Sequence, residues 1–447
     1  MGFSTALSGL NAASKDLQVT GNNIANANTT GFKESRTEFA DVYAASVTGV
    51  SKTQAGAGAK VANVAQQFNQ GNLTFTNNNL DLAISGQGFF SLAEDPAASK
   101  PTLFSRGGEF KLNKDGYVVN NQGAYLQSFK PNGTTVEEGF SEGVFQPLKI
   151  NASQGAPKAT SEILINTNLN ATEITPVNFG TVPDVPVDPS DPKSYNHTSS
   201  VTTYDSQGNS HIASMYYVSK NPATPNQWDA YFFVDGVPFN PNPNATPAVP
   251  AVKAEVGTPH VPMQLDFDAN GALNLIDGAA PGKLNFGAIT STDIDPTLNV
   301  APLDFNFDFA TTTQYSANFS VQDLSQDGLP AGNLTGISIN DEGVVSANFS
   351  NGGADILGKI ALTRFANPQG LTKTGDTAWR ESVESGEAVA GQPKSGSFGS
   401  IQSGALESSN VDLSAQLVHL IIAQQAYQAN AQTITTEKTI MQTILNA

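Results

Sequence analysis

Twelve residues, DFDANGALNLID at 266 to 277, have the types and spacing to bind calcium. Asp266, Asp268, Asn270, Gly271, Leu273 and Asp277 fall on positions one, three, five, six, eight and twelve of an EF-hand loop, where oxygen donors surround the ion and glycine allows the turn. The flanks oppose that chemistry. VPMQL before and GAAPG after do not form helices, and Asp277 is shorter than the glutamate that chelates with both oxygens. An Asn-Gly hairpin between QLDF and ALNLI accounts for the same residues without metal. His197, His211, His260 and His419 show no ligand or triad spacing, and no G-x-S-x-G elbow is present. SGQGFF at 85 to 90 has the glycines of a phosphate loop but neither its GKS or GKT ending nor a following helix, and reads as a tight turn into a buried strand. With no cysteine in the chain, thiolate metal sites and disulfides are excluded. The expectation is a chain with no catalytic residues, no cofactor and no metal.

Charge narrows the partners. The 447 residues carry 22 Lys and Arg against 40 Asp and Glu, a net charge of -18, which opposes binding to nucleic acid and anionic lipid. The first 70 residues hold five basic and four acidic groups and the last 47 hold one and three, so the acidity belongs to the middle. Of 25 prolines, 19 lie between Pro147 and Pro302. The opening MGFSTALSGLNAAS lacks a basic n-region and is not expected to be a cleaved signal peptide. Leu413 to Thr436, the most apolar long stretch, is too rich in Gln for a membrane span.

The elements that could position a functional surface are at the ends. Phe3, Leu10, Leu17 and Ile24 recur every seven residues, with Ala6, Ala13, Thr20 and Ala27 three places after each. At the other end Leu413, Leu420, Tyr427, Ile434 and Met441 recur every seven, accompanied by Leu417, Ala431 and Leu445. Two heptad seams predict paired N- and C-terminal α-helices of coiled-coil type. The C-terminal helix is expected to start near Val411, with Ser408, Ser409 or Asn410 as N-cap and Asp412 in its first turn. It lacks a charged face, so either an ordinary helical hairpin or other subunits must cover it.

Between the ends the period changes to two. LTFT (73–76), EFKL (109–112), YVVN (117–120), ASMYYV (213–218) and AYFFV (230–234) read as strands. Asp115-Gly116, Asn132-Gly133, Asp235-Gly236, Asn270-Gly271, Asp327-Gly328 and Asn351-Gly352 read as turns. The fold class is therefore multidomain, with terminal helices and nested all-β domains of barrel or sandwich type. The expected division is a terminal helical domain (1–30 and 405–447), an extended connector (31–70), a discontinuous inner β domain (71–145 and 326–404) and an inserted outer β domain (146–325). The connector, including TGVSKTQAGAGAK (48–60), has too few apolar residues for a core and is expected to take a fixed shape only between subunits.

NNIANANTTGFK (22–33), with the opening MGFSTALSGLNAASKDLQVTGNNIA, resembles the N-terminal signature of the bacterial flagellar axial proteins, the rod and hook family. SGALESSNVDLSAQLVHLIIAQQAYQANAQTI (403–434) resembles that family's C-terminal signature, and LDLAISGQGFFSL (80–92) and RFANPQGL (364–371) resemble its inner-domain motifs. The large insertion favours the hook-forming members over the shorter distal rod members. The resemblance implies a self-assembling curved tube that transmits torque, export by the flagellar type III apparatus, and as partners further copies of the chain, the distal rod, a cap and the hook-filament junction proteins. On that basis Val418, Ile421 and Ile422 are expected to face neighbouring subunits, while Asn28, Gly31 and Phe32 form the helix exit. A rival of another class is a β-rich adhesin binding sugars through Tyr204, Trp228 or Tyr231.

Overall fold

The computed structural model describes residues 2–42, 56, 58–150, 155–181, 184–241, 251–254 and 258–446. The chain divides into two compact units, one of residues 1–152, 336–348 and 354–447, the other of residues 153–335 and 349–353.

In the first unit the heptad-bearing ends are helical. The N-terminal helix spans Gly2–Ala25 and the C-terminal helix Leu413–Leu445, whose 33 residues give a rod about 50 Å long. The C-terminal helix is capped by Asp412, whose Oδ1 accepts from the backbone N–H groups of Ser414 and Ala415 at 2.8 and 3.2 Å. Asn410, expected among the caps, instead bridges three segments. Its Oδ1 accepts from Glu34 N at 2.8 Å, and its Nδ2 donates to Gln67 O at 2.8 Å and Asn69 O at 3.1 Å. An aspartate two residues on is the stronger cap because its charge also meets the positive end of the helix dipole.

The connector departs from expectation. Ser35–Asp41 pairs antiparallel with Ala59–Gln66, with a bulge at Glu38/Phe39, and the pair packs on the N-terminal helix of its own chain. Main-chain pairing supplies the order that the poor apolar content does not, and a close approach at Gly58 (φ +108°) lets Ala59 N donate to Ser8 Oγ at 3.3 Å. Most of 48–60 lies outside the described residues.

The β part of the first unit is built, among the described residues, around a curled 13-stranded sheet. Its centre is Phe89–Ala93, entered through Gly86 and Gly88 at φ +114° and +127° and buried along its whole length. This strand pairs antiparallel with Leu103–Ser105, Tyr125–Pro131 and Leu362–Arg364. Phe89, Phe104, Phe365, Leu371 and Trp379 form one core cluster.

Among its described residues the second unit holds a five-stranded sheet around Glu162–Asn170 and a seven-stranded sheet around Ser210–Ser219 and Gln227–Val234. One core cluster joins them, with Trp228, Phe232, Phe286, Phe305 and Phe307 almost fully enclosed, and a second cluster holds Val187, Val218, Tyr231 and Phe233. Trp228 and Tyr231, two of the three sugar-binding candidates, are thus core residues. Asp235 and Gly236, both left-handed at φ +47° and +80°, make the tight hairpin between Gln227–Val234 and Val237–Asn240. Asp327-Gly328 is not such a turn. The Asp327 carboxylate accepts from Ser161 N and Glu162 N at 2.8 Å each, closing the start of Glu162–Asn170. The left-handed residue near Asn132-Gly133 is Gly139.

Candidate assembly surface

The two terminal helices lie along each other. Asn23 Nδ2 donates to Gln416 Oε1 at 3.1 Å, and a Cβ on Gly9 would lie 2.5 Å from Asn430 Oδ1. Both contacts fit one antiparallel register, in which the start of the N-terminal helix is level with about residue 437. The last two turns of the C-terminal helix therefore project past their partner.

The row that packs most closely is the small one. Ala6, Ala13 and Thr20 are buried, with Ala12, Val19 and Asn23 beside them, and on the C-terminal helix only Gln416 and Ala423 are buried among the described residues. Backbones that approach at Gly9 leave room for methyl groups, and larger side chains move to the rims. Leu10, Leu17, Ile24, Leu420 and Ile434 are half-buried, while Phe3, Leu413, Tyr427 and Met441 are exposed. Leu417, Val418, Ile421 and Ile422 form an outward stripe, each 51–57% exposed, and Ile440, Met441, Ile444 and Leu445 continue the exposed apolar surface on the projecting turns. Full burial of such a side chain contributes about 1.5–3 kcal/mol and those of the stripe are about half exposed, so covering each contributes roughly half of that, and several together stabilise an apolar contact.

Both helices are held to the sheet by charges that sequence reasoning passes over. Glu407 is fully enclosed. Its Oε1 lies 2.5 Å from Lys33 Nζ and its Oε2 3.1 Å from an Arg106 guanidinium nitrogen. The remaining capacity is used: Gly71 N donates to Glu407 Oε1 at 2.9 Å, Lys33 Nζ to Asn69 O at 2.7 Å, and Arg106 to Gly86 O at 2.7 Å. Burial holds the Lys33 ammonium below the usual lysine range, opposed by the attraction of Glu407 and reinforced by repulsion from Arg106. Burial likewise lowers Arg106, against the pull of Glu407. One carboxylate thus fastens the helix exit, the sheet and the strand Ala405–Glu407 that leads to the C-terminal helix. The one available signal was isolation: Lys33 is the sole charge in NNIANANTTGFK, and Glu407 is one of three acids in the last 47 residues.

The exit itself is a built turn. Gly31, at φ +70°, donates its N–H to Glu407 O at 2.8 Å, and a Cβ there would meet Gly107 N at 2.4 Å. Phe32 is half-buried and Asn28 exposed. Asn23 is inward: its Oδ1 accepts from Ser35 N at 3.0 Å and its Nδ2 donates to Ser35 O at 2.7 Å.

The other candidates have structural work. DFDANGALNLID folds as the hairpin Met263–Phe267/Leu273–Ile276, where Asp268 Oδ1 accepts from Asn270 N and Ala272 N at 2.8 and 2.9 Å and Gly271 turns at φ +81°. Among the described residues no group of three or more His, Asp or Glu could hold a metal ion. His211 Nδ1 lies 2.7 Å from Asp235 Oδ2, steadying the hairpin at Asp235-Gly236. His197 stacks on Phe319 at 4.4 Å, His260 is buried, and His419 is exposed on the C-terminal helix. No helix of the described residues is long and apolar enough to cross a membrane.

Comparison with known proteins covers most of the chain. Family models match at residues 3–33 (flagella basal body rod protein), 83–182 (flagellar hook protein FlgE/F/G D1 domain), 168–329 (flagellar basal body protein FlaE D2 domain) and 402–447 (flagellar basal body rod FlgEFG protein C-terminal). The flagellar hook protein FlgE of Escherichia coli is 37% identical over 449 residues, covering 100% of both chains. That of Borreliella burgdorferi is 31% identical over 466 residues, covering 99% of this chain and 98% of its own. The crystal structure of Helicobacter pylori flagellar hook protein FlgE2 covers 75% of this chain and 100% of its own, with a TM-score of 0.51 at 15% identity, a likeness of fold.

Proposed function

The chain belongs to the flagellar hook protein family, and on that premise we propose how its residues build the hook. It is a structural subunit of the bacterial flagellar hook, a curved, flexible, self-assembled tube that carries torque from rod to filament. In our reading the role is structural and not enzymatic. The terminal helices form the tube's continuous inner layer: Phe3, Leu10, Leu17 and Ile24 share a seam with Leu413, Leu420, Tyr427, Ile434 and Met441, and neighbouring subunits cover the half that a lone subunit leaves in water. Val418, Ile421 and Ile422 face those neighbours. We assign separate roles to residues 1–30 with 405–447, to the connector 31–70, to 71–145 with 326–404, and to 146–325, whose polar surface can slide as the tube bends.

The same reading gives the surroundings. The subunit leaves the cell through the flagellar export apparatus without losing a signal peptide, adds beyond the distal rod under a cap, and is followed by junction proteins. It binds no nucleic acid and inserts in no membrane, in keeping with its net charge of -18.

The observation that carries the proposal is the apolar stripe, which a monomer would leave hydrated along most of a 33-residue helix. Electron microscopy of the purified chain tests it. The full chain should extend hook seeds into tubes, and loss of the last 35 residues should leave a folded monomer. Replacing Val418, Ile421 and Ile422 together by Ser should raise the critical concentration by at least about tenfold, the equivalent of roughly 1.4 kcal/mol. Tubes that form equally well after either change would overturn the role given to this helix.

A further inference from the structure

A cleft of about 560 Å³ opens where the N-terminal helix runs out against the sheet of its own unit. The asparagines of NNIANANTTGFK divide between its inside and its surface. Asn23 is buried in the bonds already described, and Asn26 is turned to its own chain, donating from Nδ2 to Asn22 O at 2.9 Å and accepting from Thr29 Oγ1 at 3.1 Å. Asn22 and Asn28 are exposed, line the cleft, and have no side-chain hydrogen bond within the chain among the described residues.

The facing wall is the hairpin of Thr372–Gly375 and Ala378–Arg380, whose turn residues Asp376 and Thr377 are both left-handed, at φ +51° and +54°. A β-branched residue rarely adopts that conformation. Here it is held by Ser105 Oγ, which donates to Thr377 O at 2.9 Å. Lys373 reaches into the cleft and donates to Ser35 Oγ at 2.9 Å, with no carboxylate within ion-pair distance among the described residues. Lys33 is neutralised by Glu407, and the carboxylate of Glu109 is occupied by Thr30 Oγ1 at 2.6 Å and Asn121 Nδ2 at 2.8 Å. Gln122, also exposed at the cleft, likewise has no side-chain hydrogen bond among the described residues, so the cleft offers three free amides, the charge of Lys373 without an ion-pair partner, and Asp376 at the turn.

We propose that this cleft receives an extended segment of a second copy of the chain, with a carboxylate of that segment against Lys373. Each free amide offers a donor and an acceptor and so matches a peptide main chain, whose N–H and C=O alternate in the same way. Lys373, exposed on its strand and without an ion pair, is complemented by a carboxylate through a charge-assisted hydrogen bond. Copies of this chain supply such groups in surplus, with 40 acids to 22 bases. The proposal rests on the hook-subunit reading, which places further copies beside every subunit.

The natural absence of cysteine makes a direct test available. In Asn28→Cys the introduced thiol should react readily with a maleimide in the monomer and at least tenfold more slowly in tubes. Adding Lys373→Glu should restore the fast reaction in tubes, whereas Lys373→Arg should preserve protection and Asp376→Asn should not reduce it. Tubes in which that thiol stays as reactive as in the monomer, or in which charge reversal at Lys373 changes nothing, would overturn the cleft contact while leaving the hook reading intact. Failure of the unaltered chain to extend seeds would remove both.

Discussion

Glu407 carries one negative charge between two buried cations, and the balance of that trio decides what a substitution costs. Replacing it by Gln leaves Lys33 and Arg106 facing each other out of water, and the loss is expected to be about 3–5 kcal/mol in chemical denaturation of the monomer. Lys33→Met should cost less, because Glu407 keeps Arg106 and the Gly71 N–H. Equal losses for the two would show that the carboxylate does not hold the trio together. Nothing in the sequence pairs these residues. They stand 73 and 301 positions apart in loops and a three-residue strand, and only the folded chain brings them within 3.1 Å. Gly31 was more legible, since a glycine at the end of a helix signals a left-handed exit; that the same glycine also makes room for Gly107 was not.

Among the elements, the helix pair depends on close approach at Gly9 and Asn430. Gly9→Leu should push the backbones apart, destabilise the pairing by about 1–3 kcal/mol and lower the thermal midpoint of the helical circular dichroism signal. Asn430→Ala, by emptying the space the new side chain needs, should recover part of that loss. A double variant no better than Gly9→Leu alone would place the contact elsewhere. The seven-residue repeats announced both helices, because period alone reports which side of a helix is apolar. They did not reveal that the small row would be the tightly packed one, which depends on how near the partner comes. The strands Ser210–Ser219 and Gln227–Val234 were equally legible from their alternation, and the end of the second from the Asp235-Gly236 pair that turns it into Val237–Asn240. The hairpin of Ser35–Asp41 and Ala59–Gln66 was not, because its strands are polar and its stability comes from main-chain bonds and the helix beneath it.

At the scale of the whole molecule, acid should weaken the unit of residues 153–335 and 349–353 through His260. Its ring sits 5.0 Å from both Tyr231 and Phe233, and burial pulls its imidazole down from 6.5 to about 4. Between those values the unfolded chain takes up a proton that the folded chain refuses. The stabilising effect is therefore complete above pH 6.5 and is lost as pH falls through about 4, a change of about 3 kcal/mol. Asp229 and Asp277, which burial holds above the usual carboxylate range, act in the opposite direction as they protonate. His260→Phe should flatten the pH dependence of this unit's unfolding between 6.5 and 4, and an unchanged slope would remove His260 as its source.

What the sequence determined by itself is periodic and local: two long amphipathic ends, an all-β middle broken by Asn-Gly and Asp-Gly turns, an acidic surface, and end signatures that resemble one family. Those features are written in neighbouring residues, through the 3.6-residue and two-residue repeats and the φ preferences of single side chains. The tertiary structure alone decided that Lys33, Arg106 and Glu407 meet, that Asp412 and not Asn410 caps the C-terminal helix, and that of the motif's asparagines Asn23 turns inward while Asn22 and Asn28 stay free. Buried charges and hydrogen bonds are settled by which distant segments exclude water together, and no local pattern carries that information.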